Sequence, residues 1–349
     1  MSLLAALQGR HGTLGLYASV QRFFFAFGCC AFPGSLLLDA PFGRFGTWNA
    51  LTVNGDLGWL VMEAFAPLTF LYALALPLST SPLSRQTLLA CASPSAILRA
   101  FLALDRPRRL LATLFLVHYS NRSVIGTLRN PGRAPMHLVI PVLSALFNLA
   151  NGGTLGAWLS AGGRTAGLGL KSSPSSGALF ALGVGLWAAG FAGNIFHDEH
   201  LYALKRAKQR SLAKGKAKAD ASSGAGSSAA QGDGKKPPAH ERYSIPTRGL
   251  YKVVSHPSYL CEWVEWIGYA LAALQLAPAP FPASTAAATA RGVLQPLAQW
   301  YLQPPVLFVL QEVAAMLPRA RSGHKWYQRT FGSEWERKGA RWAVIPGIY

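Results

Sequence analysis

The chain is short of charge, of acid and of cysteine. Only 13% of its 349 residues are charged, where a soluble globular chain carries about 25%. Acidic residues number 14 against 33 basic ones. The four cysteines, Cys29, Cys30, Cys91 and Cys261, show neither CxxC spacing nor the framework of a small disulfide fold. Three of them fall in or beside apolar runs, where cysteine is commonly a small buried hydrophobe. His197 and His200 stand at i, i+3 in HDEH, but His11, His118, His137, His240, His256 and His324 are isolated. A membrane di-iron oxygenase needs repeated histidine clusters, so no metal is expected. Walker and GxSxG motifs are missing. GVGLWA, Gly183 to Ala188, matches a relaxed GxGxxG/A pattern, yet it lies inside an apolar run with no strand before it. Small residues there suit close helix contact instead. The N-terminal MSLLAALQGRHG lacks a basic stretch followed by a cleavable apolar core, so the first apolar run is expected to be a retained signal-anchor helix.

What the chain has is apolar length. Hydrophobic residues make up 51% of it, in continuous runs long enough to cross a hydrocarbon core of about 30 Å. Continuous rather than alternating runs indicate helices and not barrel strands. The expected fold is all-α, an integral membrane bundle of about seven transmembrane helices, near 14–38, 57–79, 109–128, 136–160, 177–203, 259–279 and 294–317. The expected division is an N-terminal helix and loop (1–56), helices two to five with the substrate site (57–203), a disordered basic loop (204–241), and a C-terminal reductase region (242–349). The loop is placed by its Lys, Ala, Gly and Ser content, which cannot bury enough surface to fold.

A net charge of +19 first suggests nucleic acid. The basic residues, however, gather between Lys205 and Lys252 and between Arg319 and Arg341, without the interleaved aromatics of a base-stacking platform. No nucleic-acid partner is expected; the pattern is that of basic segments on the cytosolic side of a membrane. Seven spans put both segments and the C-terminus there. One loop disagrees: Arg85, Arg99, Arg106, Arg108 and Arg109 would fall on the opposite side. Either that loop lies along the interface or the early helices are miscounted by one.

Ionisable groups inside spans are costly and mark function. They are Glu63, Asp198 with Glu199, Glu262, Glu265 and Glu312. Glu63 follows Trp59 by four residues, on one helical face. A carboxyl so buried favours its neutral form and could donate to a substrate carbonyl. Packing alone is the competing reading for Glu63. Glu262 and Glu265 sit one turn apart beside Trp263 and Trp266. An aromatic belt explains the tryptophans, whereas acceptors for a ribose or carboxamide explain the acids.

Together these residues resemble the steroid 5α-reductase family. The strongest match is RYSIPTRGLYKVVSHPSYLCEWVEWIGYAL, residues 242–271. HYSNRSVIGTLRNPGRAP (118–135), GNIFHDEHLYALKR (193–206) and the tail HKWYQRTFG…IPGIY (324–349) follow the family's order. With WLVMEAF these cover about half the chain. The resemblance implies that NADPH delivers a hydride to the β-carbon of an apolar steroid-like enone. Glu63 and Tyr119 would polarise its 3-oxo group as a small oxyanion-type hole, with Trp59 beside the substrate. Asn130, Arg133, Asn194, Asp198, Lys205, Tyr243, Ser258, Glu262, Arg319, His324 and Tyr327 would surround the dinucleotide. Lys205 stands where the family tends to have Arg. Ser258 replaces a usual Asn, Ser244 follows Tyr243 where some relatives have Arg, and Gly323 precedes His324 where relatives often show two histidines. The second imidazole is then lost, or His324 takes over. The resemblance also implies an endoplasmic reticulum membrane.

Three other readings compete. HPSYLCEW resembles a stretch of the isoprenylcysteine methyltransferases, which use S-adenosylmethionine and need no Glu63–Tyr119 pair. The same reductase chemistry could act on a trans-2-enoyl thioester or a polyprenal. A non-enzymatic membrane scaffold leaves the buried acids unexplained.

Overall fold

The computed structural model describes residues 7, 12–41, 43–45, 49–165, 174–222, 243–276 and 303–348. Its elements are helices α1 (Gly12–Leu37), α2 (Gly55–Ala75), α3 (Arg85–Cys91), α4 (Pro94–Ala103) and α5 (Arg106–Tyr119). A widened π turn, Ser120–Ile125, leads into α6 (Gly126–Arg129). Then come α7 (Val139–Thr165), α8 (Pro174–Ser222), α9 (Pro257–Leu274), α10 (Pro304–Phe331) and α11 (Ser333–Lys338). Strands β1 (Thr52–Val53) and β2 (Met136–His137) pair antiparallel, with Thr52 opposite His137.

Capping residues explain where helices begin. The Asn54 side chain accepts from the amides of Asp56 and Leu57 at 3.0 Å each, starting α2. Ser84, Ser93 and Asp105 do the same for α3, α4 and α5, satisfying amides that the helix leaves open.

The all-α membrane class holds. A helix stands at each of the seven expected spans, although 277–279 and 294–302 lie outside the described residues. Among the described residues, four helices are long and apolar enough to cross a membrane: α1, α2, α7 and α8. The pair α3 and α4, bent by 71°, makes five if taken as one broken span. Seven crossings exceed the four or five that length and apolarity give among the described residues; α5, with 14 residues, is too short to be counted alone. The bent pair and the start of α5 hold the arginine-rich segment. Arg109 Nη2 donates to the carbonyls of Leu102 and Leu104 at 2.5 and 2.8 Å, and Arg108 pairs with Asp105.

The expected disordered loop needs correction at its start. Helix α8 continues to Ser222, because Lys, Ala, Arg, Gln and Leu are all good helix formers. Residues 223–241 lie outside the described residues.

Burial follows a membrane pattern. On α2, Leu57 and Leu68 are 60% and 64% exposed while Glu63 is 5% exposed, so the acid points inward and the leucines outward. Inside, Phe70 stacks on Phe115 at 4.4 Å, and Trp266 meets Phe308 edge-on at 4.5 Å. Gly183 and Gly190 of α8 press against α9: a Cβ on either would strike the Gly268 or Cys261 carbonyl. Gly183 of GVGLWA, with Gly190 beyond it, therefore serves close helix contact, while Gly185 faces open space.

Candidate functional site

The polar interior begins on α2 and α5. Trp59 and Glu63 lie one turn apart on α2, and Trp59 Nε1 donates to the Arg122 carbonyl at 3.1 Å. The indole face takes two guanidiniums, Arg122 at 5.1 Å and Arg133 at 4.6 Å. Arg122 comes from the π turn, a local geometry frequent at functional sites. Its Nε donates to Glu63 Oε1 at 3.0 Å, and its Nη1 lies 3.0 Å from Glu262 Oε1. Glu63 is thus no solitary acid, as the sequence suggested, but shares a guanidinium with a second buried carboxyl.

Tyr119 ends α5, fully inside. Its hydroxyl accepts from Asn151 Nδ2 at 2.9 Å and donates to Asn148 Oδ1 at 3.4 Å. Asn148 Nδ2 in turn donates to the carbonyl of Met62, next to Glu63, at 2.8 Å. One asparagine on α7 therefore links the two sides of the expected oxo-binding pair.

From Glu262 the chain of contacts runs to α8. Asn194 Nδ2 donates to Glu262 Oε2 at 3.2 Å and to the Ser258 carbonyl at 3.1 Å. Ser258 Oγ donates to Asp198 Oδ1 at 2.7 Å. Glu265, one turn along α9, meets His118 Nδ1 at 2.7 Å. The two acids of α9 thus have cationic or imidazole partners on the α5 side, which the sequence of α9 alone did not reveal.

Beside this run, Lys205 Nζ donates to Asn130 Oδ1 at 3.3 Å and to the Gly132 carbonyl. Arg133 pairs with Asp56 at 3.2 Å. His197 ties α8 to the turn at Gly249–Lys252: it meets the Gly193 carbonyl through Nδ1 at 2.6 Å, and Nε2 accepts from the Leu250 amide at 3.1 Å. Among the described residues no group of three or more His, Cys, Asp or Glu is arranged to hold a metal ion.

Asp198 and Ser258 also form one wall of a cavity of about 140 Å³. Arg319, Tyr327, Tyr251 and Arg44 stand around it. The Arg44 guanidinium lies over Trp326 and Tyr327, 4.5 and 4.6 Å from the ring centres. Burial, followed by the neighbouring Tyr327 and Asp198, pushes the Tyr251 phenol well above its ordinary range.

Two expected residues stand apart. His324 turns away, with Nδ1 at 3.0 Å from Ser255 Oγ and Nε2 at 3.2 Å from the Gln328 amide. Burial lowers its pKa. Tyr243 packs edge-on against Trp326 at 5.0 Å. Neither lines the cavity.

The sequence reading missed Arg122, Asn148, Asn151, Arg44 and His256. Asn148 and Asn151 carried a usable signal, two amides at i, i+3 inside an apolar span. Arg122 sat in a quoted motif without being singled out. Arg44 had no signal, since nothing in the first fifty residues matches a motif.

Comparisons with known proteins place the chain among steroid reductases by sequence. Residues 231–303 match the family model described as 3-oxo-5-alpha-steroid 4-dehydrogenase. An uncharacterized protein of Schizosaccharomyces pombe is 32% identical over 90% of this chain and 93% of its own length. The mouse 3-oxo-5-alpha-steroid 4-dehydrogenase 1 is 27% identical over 86% of each chain. A steroid 5-alpha-reductase of Arabidopsis thaliana is 24% identical over 89% of this chain and 88% of its own.

Proposed function

Because the chain belongs to the steroid 5α-reductase family, we propose that it reduces the C4–C5 double bond of an apolar Δ4-3-oxosteroid with NADPH. The observation that carries the reading is one connected polar run. It starts at Glu63, with Tyr119 joined through Asn148 to the neighbouring Met62 carbonyl, passes through Arg122, Glu262, Asn194, Ser258 and Asp198, and ends in the cavity beside Arg319.

The donor set at that cavity suits one end of a dinucleotide. Arg44 and Arg319 match phosphate, Tyr327 and Tyr251 offer aromatic faces, and Asp198 with Ser258 can meet ribose hydroxyls. Asn130, Arg133 and Lys205, gathered beside Trp59, extend the polar surface that the cofactor would follow. NADPH, when bound, supplies the hydride for the enone β-carbon.

The chain's own residues would then handle the oxygen. Tyr119 exchanges its long 3.4 Å bond to Asn148 for a shorter one to the 3-oxo group, while Asn151 keeps its phenol in place. Glu63, positioned by the Arg122 guanidinium, is the second group that would face the oxygen. Donors aimed at an oxygen that gains charge in a dry site lower the barrier most. Water provides the proton for C4.

The apolar exterior of α2 and α7 supports entry of the substrate from lipid. We place the protein in the endoplasmic reticulum membrane with residues 242–349 as the reductase region and the tail in the cytosol.

The test is formation of 5α-dihydrosteroid from a Δ4-3-oxosteroid and NADPH, in membranes carrying the wild-type chain or Glu63→Gln. Product from the wild type and little from the variant is the expected result. No product from folded wild-type protein rejects the steroid, and enoyl thioesters and polyprenals are then the substrates to try.

A further inference from the structure

Gly323 of α10 faces His256, the residue just before α9. A Cβ on Gly323 would collide with Nε2 and Cε1 of that imidazole. A side chain at 323 and the ring at 256 therefore compete for one place. In this chain the ring has it.

The place matters because it is in the cavity wall. His256, Gly323, Arg319, Arg44 and Tyr327 all line the same space. Arg44 is held there by its two aromatic faces, and its Nη1 reaches the Gly323 carbonyl at 3.5 Å. Two guanidiniums and an imidazole thus meet around one small volume, with Asp198 on the wall already engaged by Ser258.

The ring is also oriented. Gln328 Nε2 lies 3.2 Å from His324 Nε2 and can only donate to it, which leaves the His324 proton on Nδ1. That proton goes to Ser255 Oγ at 3.0 Å. Ser255 Oγ lies 2.9 Å from His256 Nδ1, closer than the Ala343 carbonyl at 3.3 Å. Ser255 Oγ therefore stands on the Nδ1 side of the His256 ring, and Nε2 is left on the Gly323 side, at the cavity wall. No hydrogen bond engages Nε2 among the described residues, and in the Nε2–H tautomer this side of the ring offers a donor to an acceptor in the cavity. Burial, then Arg44, Arg319 and His324, press the pKa of this ring well below its ordinary value, so the ring is a neutral donor in a positive surrounding.

We propose that His256 is a phosphate-binding residue of this chain, its Nε2–H acting with Arg44 and Arg319 on a phosphate of the dinucleotide, and that Gly323 is the glycine that makes room for it. The proposal rests on the NADPH reading above. It moves the imidazole lost at position 323 to position 256, where the sequence reading had offered His324.

Binding, not turnover, tests it. The full chain in detergent micelles is titrated with NADPH and with NADH, following cofactor fluorescence and the melting temperature. His256→Ala should raise the Kd for NADPH about tenfold, the loss of one hydrogen bond to a charged group. The exchange variant, His256→Gly with Gly323→His, should recover most of that loss, which a merely structural histidine would not allow. Equal losses for NADPH and NADH assign the contact to the pyrophosphate; a loss confined to NADPH assigns it to the 2′-phosphate. Unchanged affinity in His256→Ala, or no recovery in a folded exchange variant, overturns the assignment of His256 alone. A wild-type chain that binds no NADPH overturns the cofactor reading itself.

Discussion

Arg122 Nε donates to Glu63 Oε1 across 3.0 Å, joining the π turn after α5 to the middle of α2. The same guanidinium touches Glu262 of α9, so one side chain holds three elements and two buried acids together. Removing one member of a buried ion pair leaves the other unbalanced and costs about 3–5 kcal/mol. Arg122→Ala is therefore expected to lower the melting temperature and to abolish steroid reduction. Arg122→Lys should recover part of the stability but little activity, since an ammonium cannot span both carboxyls as the planar fork does. Thermal unfolding and product formation on the same membranes check both arms; full activity in the lysine variant would reject the bridging role.

Tyr119 is a more selective probe. Its ring is packed by Phe115 and Trp266 at 4.7 and 6.3 Å, and Tyr119→Phe keeps that packing. The hydroxyl alone is lost, leaving Asn151 Nδ2 without its acceptor at a cost of about 1–3 kcal/mol. Removing one donor to a developing oxyanion lowers kcat about 100- to 1000-fold. Steady-state kinetics should show that fall with KM for the steroid changed much less. A variant that loses KM and keeps kcat would place Tyr119 in binding only.

Ser258 bears on the cofactor. Its hydroxyl fixes Asp198 Oδ1 at 2.7 Å, and Ser258→Ala releases that carboxyl from its orientation. The expected result is a rise of about fivefold in KM for NADPH, near the worth of one hydrogen bond, with kcat nearly constant. An unchanged KM would separate the Asp198–Ser258 pair from cofactor binding.

How much of this was legible beforehand depends on what each residue costs. Long apolar runs announce helices because nothing else satisfies backbone groups in lipid, so α1, α2, α7 and α8 were readable. Glu63 and Glu262 were readable for the opposite reason, since a carboxyl in a span is expensive. Arg122 was not, because its role depends on the π turn that aims it between Glu63 and Glu262, which the local sequence does not record. The extension of α8 to Ser222 was hidden because low complexity argues for a loop while its residues favour a helix. The meeting of His256 with Gly323 depends on how α9 and α10 cross, which no local pattern records.

The neutral state of His256 has a consequence for stability against pH. In the folded chain burial, with Arg44, Arg319 and His324 around the ring, depresses its pKa; Tyr259 and Tyr327 face it at 5.5 and 6.4 Å, and Asp198 shares its cavity. In the unfolded chain the group titrates near its ordinary value of about 6.5. Between those two pKa values the unfolded state binds the extra proton. Stability from this site is therefore present above pH about 6.5 and is lost as the pH falls below it. Melting temperatures of the wild type and His256→Gln, taken in one detergent from pH 7.5 down to pH 5, isolate the term from other titrating groups. The wild type should lose more stability than the variant over that interval, because glutamine has no proton to bind. Parallel curves would mean that the ring carries its proton in both states, and would remove the neutral donor that the phosphate site requires.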